Sequence, residues 1–155
     1  MLPAPQEVRT FFVTSVTVSR RPLLQSARMA ALLLDVLKEN RKKERYLLHE
    51  FAIMPDHFHL LLTPAKDVSL EKAIQYIKGG FSFRAGRELD FKQDIWQESF
   101  TCHRIEDARD FDEHRAYIRQ NPVKRSLAEK PELFSYSSAY PGAETDPAPP
   151  WLKPH

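Results

Sequence analysis

The sequence predicts an α+β fold in which helices cover an antiparallel sheet. Three observations indicate this fold: short segments with alternating apolar residues, longer segments with apolar residues at helical spacing, and their order, β-α-β-β-α-β followed by one more helix. A chain of 155 residues is long enough for one compact domain and too short for two of ordinary size. We therefore assign residues 1–140 to a single domain and residues 141–155 to a tail.

The first half of the chain contains three predicted strands and one helix. Residues 9–18 alternate and are rich in β-branched and aromatic side chains, which is typical of a strand. Ser26 is a suitable N-cap for a helix over residues 27–45. The apolar face of this helix consists of Met29, Leu32, Leu33, Val36 and Leu37. Residues 45–54 predict a second strand, and residues 57–63 predict a third that runs back antiparallel after a Pro-Asp turn.

The second half predicts a helix, a strand and a final helix. The apolar side of the first of these helices consists of Leu70, Ile74, Ile77 and Phe81. Residues 96–105 predict the fourth strand, and residues 107–120 predict a helix that ends near Asn121, because Pro122 cannot continue the hydrogen-bond ladder. This order is that of a ferredoxin-like split β-α-β sheet with an additional C-terminal helix.

The composition favours a soluble protein of the cytoplasm that has no membrane partner. No apolar run approaches the roughly 20 residues that span a bilayer, and the N-terminus lacks the apolar segment of a signal peptide. The single cysteine, Cys102, excludes an internal disulfide. Five prolines occur in residues 141–155, so we expect this tail to be extended or disordered and to lie outside the core.

Two histidines are the first candidate for chemistry. His57 and His59 lie two residues apart in the third strand, so they share one face of the sheet, about 6.6 Å apart. Two imidazoles at this separation can converge on one divalent ion. The alternative is that the His-x-His pair occurs by chance and that each imidazole is an ordinary polar side chain of a strand.

The last predicted helix adds a second set of polar residues. Tyr117 and Asn121 lie four residues apart and therefore on one helix face, which His114 shares. Two imidazole nitrogens and an amide oxygen form an incomplete shell that suits Mg²⁺ or Mn²⁺ bound together with a phosphate. Other interpretations stay open: Tyr117 as half-buried core, Asn121 as a C-cap, and His114 as a ligand, a proton acceptor or a surface residue. His103 has no assigned role.

Four stretches of the chain resemble a known family. MPDHFHLLL, WQESF, YIRQNPVKRSL and FSYSSAY together are similar to the single-tyrosine HUH transposases, and most to their REP-associated branch. The resemblance implies an HUH endonuclease-type fold in which His57 and His59 bind a divalent metal. It implies that Tyr117 on the C-terminal helix is the nucleophile. Asn121 stands where some relatives have a longer glutamine that completes the metal shell.

The activity that this resemblance implies is metal-dependent cleavage and rejoining of single-stranded DNA. The substrate would be hairpin-forming DNA such as REP palindromes, and the intermediate a 5′-phosphotyrosine. A different class of function is a domesticated protein that binds hairpin nucleic acid without cleaving it. A third is a hydrolase that activates water at the two histidines. We expect an activity that needs neutral histidines to fall below about pH 6.5.

The partner is expected to be single-stranded or hairpin DNA. Basic residues suit a phosphate backbone, although the net charge is only +2 and charge alone favours an ordinary solvated surface. The candidate nucleic-acid-binding residues are Arg20, Arg21, Lys78, Arg84, Lys124 and Arg125. The sequence does not decide between a monomer with its own tyrosine at the metal site and a homodimer that exchanges tyrosine helices.

Overall fold

A computed structural model of the chain describes residues 8–154. Residues 1–7, in the segment where no signal peptide is expected, lie outside this range, and so does residue 155 at the end of the tail. The fold is built on one four-stranded sheet. Its strands are β1 (Phe11–Val16), β2 (Tyr46–Met54), β3 (His57–Pro64) and β4 (Thr101–Arg104). The strand order is β2-β3-β1-β4, and each neighbouring pair is antiparallel. The predicted split β-α-β sheet is therefore confirmed.

Three helices cover the two faces of this sheet. They are α1 (Ala27–Lys42), α2 (Leu70–Glu88) and α3 (Ala108–Lys124). Side-chain oxygens of Ser26, Ser69 and Asp107 accept backbone N–H bonds at the three N-termini, which satisfies donors that a helix leaves unpaired. Short 3₁₀ helices occupy Val18–Arg20 and Pro131–Leu133.

The central strand β3 separates the two layers because its side chains alternate. Phe58, Leu60 and Leu62 are fully buried in the cluster that packs against α1 and α2. Leu61 belongs to a smaller cluster on the opposite face, with Phe111 and Ile118 of α3. All eight residues of β3 are buried, which is what strands covered on both faces require.

Two of the predicted element boundaries are wrong. The fourth strand spans only Thr101–Arg104. In the segment before it, Trp96 forms an isolated bridge with Thr17, and the carbonyls of Gln97 and Ser99 accept hydrogen bonds from the Lys78 ammonium. The last helix does not end near Asn121 but continues through Pro122 to Lys124. A proline in the last turn removes only one backbone hydrogen bond, and Pro122 is itself buried.

The tail also differs from the expectation that it lies outside the core. It has no regular helix or strand, yet Asp146 accepts hydrogen bonds from Arg41 at 2.9 Å and from the Leu48 N–H at 2.8 Å. Leu152 packs against the cluster beneath α3, and the Lys153 carbonyl accepts a bond from Ala108 at the start of that helix. Among residues 8–154, no helix is both long and apolar enough to cross a membrane.

Candidate active site

The two histidines of β3 lie side by side beneath helix α3. The sheet register sets them opposite Thr14 and Val16 of β1. Their ring centroids are 4.7 Å apart, and each residue is only 3% exposed. Polar side chains this deeply buried need partners, so the atoms that surround the two rings decide what the pair can do.

One nitrogen of each imidazole is held by a neighbouring side chain. The Nδ1 of His57 lies 2.6 Å from the carboxylate of Asp56, and the Nδ1 of His59 lies 2.8 Å from the hydroxyl of Thr14. Such contacts orient the rings and leave the Nε2 atoms for another ligand. This is the arrangement in which metal-binding histidines are held in proteins.

Two buried atoms at this site, one of them in the His59 ring, lack a hydrogen-bond partner. Within the described part of the chain, the buried side-chain atoms without a partner are Ser15 Oγ, His59 Nε2 and Asn121 Oδ1. A nitrogen lone pair and an amide oxygen are both ligands for a divalent cation. The Asn121 side chain also acts on the pKa of His59, which it raises, so the two groups are close. The residues present therefore fit a divalent metal.

Burial keeps the imidazoles neutral. It lowers the pKa of His59 to about 3, with His57 and Arg125 contributing in the same direction. Burial also lowers the pKa of His57, although the hydrogen bond to Asp56 opposes the shift. A metal ligand must offer a lone pair, so both rings are in the form that can bind a cation near neutral pH.

Tyr117 of the same chain stands at the edge of this pair. Its ring is 5.4 Å from that of His59 and 5.8 Å from that of Phe12, edge-on to the second. The residue is 43% exposed, so a substrate can approach it. Lys124, two turns further along the same face of α3, places its ammonium 5.9 Å from the ring centroid of Tyr117. The expectation that Tyr117 and Asn121 share a helix face agrees with these positions, and Asn121 is not a C-cap, since Arg125 occupies that position.

Helix α3 is fixed to the sheet by a buried carboxylate. Glu50, on β2 at a bulge, is 3% exposed and accepts contacts from Arg115 at 2.9 Å and Arg119 at 3.3 Å. The hydroxyl of Ser138 donates to the same carboxylate at 2.5 Å. These contacts hold α3 in the orientation that brings Tyr117 to the histidines.

Some of the predicted DNA-binding residues lie beside the site. Arg20 and Arg125 line a cleft of about 310 Å³ next to Asp56, which is paired with Arg20 at 3.2 Å. Arg125 is close enough to lower the pKa of both histidines. Together with Lys124, these residues give the rim of the site a positive charge. Arg21 is exposed nearby, with Gln93 as a partner at 3.4 Å.

The structure does not bring Lys78 and Arg84 to the site. Both lie on α2, on the opposite side of the sheet from the two histidines. Arg84 is paired with Asp35 at 2.7 Å and with Glu88 at 2.6 Å, so its charge is already balanced. Lys78 fixes the segment before β4, as described above. The sequence positions of Lys78 and Arg84 did not indicate on which face of the sheet these residues would lie.

Thr14, Asp56 and Phe12 are parts of the site that the sequence analysis missed. Asp56 directly precedes His57 in a Pro-Asp-His stretch, and a carboxylate beside a predicted ligand is a sign that could have been used. Thr14 and Phe12 are separated from the histidines by more than 40 residues, and only the pairing of β1 with β3 makes them neighbours.

Comparisons with known proteins support the resemblance. The family described as transposase IS200-like matches residues 9–121. A Haemophilus influenzae protein whose name assigns it to the REP-associated tyrosine transposases is 35% identical over 96 residues, which are 56% of this chain and 54% of that protein. The REP-associated tyrosine transposase of Escherichia coli is 26% identical over 130 residues, 83% of this chain and 75% of that protein. The match thus spans about half the length of the first relative.

A solved structure shows the same fold. It is described as a REP-associated tyrosine transposase bound to a REP hairpin, and it aligns with a TM-score of 0.70 at 22% sequence identity. The alignment covers 91% of this chain and 87% of that chain. The predicted fold class is confirmed by this likeness.

Proposed function

We propose that this chain, which belongs to the IS200-like transposase family, cuts and rejoins single-stranded DNA through a covalent bond to Tyr117. The DNA would be a hairpin of the REP type, as named for the protein in the similar solved structure. The metal would be Mg²⁺ or Mn²⁺, held by His57, His59 and Asn121. The observation that supports this proposal best is the pair of buried, unpartnered atoms, His59 Nε2 and Asn121 Oδ1, next to an exposed tyrosine.

The chain's own residues have distinct parts in this reaction. The Tyr117 oxygen attacks the scissile phosphorus, and a Tyr–O–P bond forms as the P–O3′ bond breaks. The phenol loses its proton and the departing O3′ gains one, which leaves a free 3′-hydroxyl on the leaving strand. His57, His59 and Asn121 would hold a divalent ion, which would supply Lewis-acid polarisation of the phosphate. Asp56 and Thr14 hold the two imidazoles in place. Attack by a 3′-hydroxyl on the phosphotyrosine reverses these steps and joins two strands.

The basic rim of the site would bind the DNA backbone on either side of the cut. Arg20, Lys124 and Arg125 lie within the same part of the surface as Tyr117 and Asp56. Each phosphate contact of this kind adds to the salt dependence of binding. Since Tyr117 and the histidines come together within one chain, a monomer is sufficient for the first cleavage.

The test is covalent capture of labelled hairpin DNA. The DNA is labelled separately at each end, incubated with the protein and Mg²⁺ or Mn²⁺, and resolved on a denaturing protein gel. We expect the wild type to retain only the label on the 3′-side fragment, and Tyr117→Phe to retain none. Tyr140→Phe is the matched control, because Tyr140 is equally exposed at 43% and is not part of the site.

Other outcomes separate the remaining functions. A free 5′-phosphate with no protein-linked product would indicate a water-activating hydrolase. Hairpin binding that does not depend on metal or on Tyr117, together with no cleavage of any hairpin tested, would indicate a binding protein. A covalent product that persists in Tyr117→Phe would contradict the proposed nucleophile.

A further inference from the structure

Three side chains outside the proposed active site converge at the start of helix α3. They are His103 on β4, and Asp110 and His114 on α3, and their ligand atoms all lie within 4.8 Å of one another. His114 and Asp110 are one helical turn apart, and the edge strand β4 brings His103 to them. The proposed cleavage reaction gives no part to any of the three.

The distances within this trio are those of metal ligands. The Nε2 of His103 is 2.8 Å from Asp110 Oδ2, and the Nδ1 of His114 is 3.1 Å from Asp110 Oδ1. Ligands of a tetrahedral ion with bonds of about 2.0 Å are separated by about 3.3 Å. These two contacts, one to each oxygen of Asp110, are within about 0.5 Å of that separation, and all three ligand atoms lie within 4.8 Å of one another.

The rings of His103 and His114 are stacked beside Asp110, with centroids 4.7 Å apart and an interplanar angle of 18°. Nδ1 of His114 also lies 2.9 Å from the backbone carbonyl oxygen of Asp110, which can only accept a hydrogen bond. Binding of a cation at Nδ1 therefore replaces this hydrogen bond, and the ring proton moves to Nε2.

The donor set determines which cation fits. Two imidazole nitrogens and one carboxylate oxygen suit divalent first-row transition metals such as Zn²⁺, Co²⁺ and Ni²⁺. Mg²⁺ prefers an octahedral shell of oxygens, so this trio discriminates against it. The preference differs from that of the proposed catalytic site, where the substrate phosphate supplies oxygen ligands.

We propose that His103, Asp110 and His114 form a second metal site, which binds Zn²⁺ or a similar transition-metal ion. Such an ion would join β4 to the first turn of α3. All four residues of β4 are exposed, and the strand pairs only with β1 among the described strands. The ion would therefore fix the edge of the sheet to the helix that also holds Tyr117, next to Phe12, whose ring is 4.8 Å from His114.

The test counts bound ions by equilibrium dialysis of the full chain against CoCl₂, with the visible spectrum of the protein as a second measurement. We expect His103→Ala to bind one Co²⁺ fewer per chain than the wild type and to lose the visible bands of that ion. We expect Asp110→Asn to bind that ion at least about 10-fold more weakly, since an amide oxygen is a poorer ligand that can still accept the Glu106 N–H. Arg104→Ala, on the same strand, is the control and should bind as the wild type does.

Failure of this site and failure of the proposed catalytic site give different results. If the ion at His57 and His59 is absent, the wild type binds one Co²⁺ fewer, and the difference between wild type and His103→Ala stays at one. If the wild type and His103→Ala bind the same number of ions with the same affinity and spectrum, the second site is refuted. An equal loss in Arg104→Ala would also refute it, because the effect would not depend on the trio.

Discussion

His59 makes the stability of the metal-free protein dependent on pH in a defined direction. Its pKa is about 3 in the folded chain because burial disfavours the charged ring, whereas the ordinary histidine pKa is 6.5. Below about pH 6.5 the His59 ring therefore binds a proton in the unfolded state but not in the folded state. The free energy of unfolding is unaffected above this pH and falls as the pH is lowered towards 3.

The size of this effect follows from the shift. Each pH unit between the two pKa values costs 1.36 kcal/mol per group, so His59 alone lowers the free energy of unfolding by about 2 kcal/mol between pH 6.5 and pH 5. Burial also lowers the pKa of His57 and of His49, whose ring lies 2.8 Å from the Thr63 hydroxyl, so their contributions have the same sign. Carboxyl groups whose pKa values are lowered, such as those of Asp56 and Asp110, titrate in the folded chain below their ordinary value of 3.8 and contribute little in this window.

The assay is urea unfolding in EDTA at pH 7.5, 6.0 and 5.0, for the wild type and for His59→Gln. Glutamine keeps a polar side chain next to Thr14 but does not titrate. We expect the wild type to lose about 2 kcal/mol more than the variant between pH 7.5 and pH 5.0. Equal losses in the two proteins would show that His59 is not held neutral by burial, and would refute the reasoning.

Three further predictions concern the surroundings of the site and the helix layer on the other face. Asp56→Asn should weaken Mn²⁺ binding about 10- to 100-fold, measured by calorimetry, because His57 loses the carboxylate that orients it. Glu50→Gln should lower the free energy of unfolding by about 1–3 kcal/mol in urea, because two arginines lose their charged partner. Gly79→Ala should raise it by about 0.5–1 kcal/mol, since a Cβ there meets nothing within 4 Å, whereas Gly142→Ala should lower it, since its φ is +88°.

Each of these predictions has its own contradicting result. Unchanged Mn²⁺ affinity in Asp56→Asn would show that the carboxylate does not support the ligand. Glu50→Gln with wild-type stability would show that Arg115 and Arg119 find equivalent partners in solvent. A loss of stability in Gly79→Ala would indicate that something other than helix propensity selects glycine in α2.

Much of the fold could be predicted because the local patterns agree with the tertiary structure. The N-cap Ser26, the apolar spacing from Leu70 to Phe81 and the alternation through β3 give the same elements in the sequence and in the structure. The prediction that the last helix ends near Asn121 was wrong. The rule behind it concerns the backbone hydrogen bonds of proline and does not include the burial of Pro122, which stabilises the last turn of α3. The tail was misjudged for a similar reason: a proline-rich composition does not show that Asp146 will find Arg41.

The candidate site could be predicted only in part, because several of its contacts join residues that are far apart in the sequence. Spacing within one element places His57 with His59, and Tyr117 with Asn121. It does not show that Thr14 pairs with His59, that Glu50 holds α3, or that His103 reaches Asp110, since each of these contacts joins elements that are separate in sequence. The expected fall in activity below about pH 6.5 is revised as well. Burial lowers the pKa of both proposed ligands, so metal binding should persist to a lower pH.

The two faces of strand β3 have different kinds of side chain, because successive residues of a strand point to opposite sides of the sheet. Phe58, Leu60 and Leu62 face α1 and α2 and are fully buried among apolar side chains, so this side supplies hydrophobic stabilisation. His57 and His59 face α3, where burial disfavours their charged forms and leaves one nitrogen without a partner. An unpaired buried polar atom costs about 1–3 kcal/mol in the absence of a ligand. The apolar face offsets that cost, which is why a strand of this length can have two buried imidazoles and remain folded.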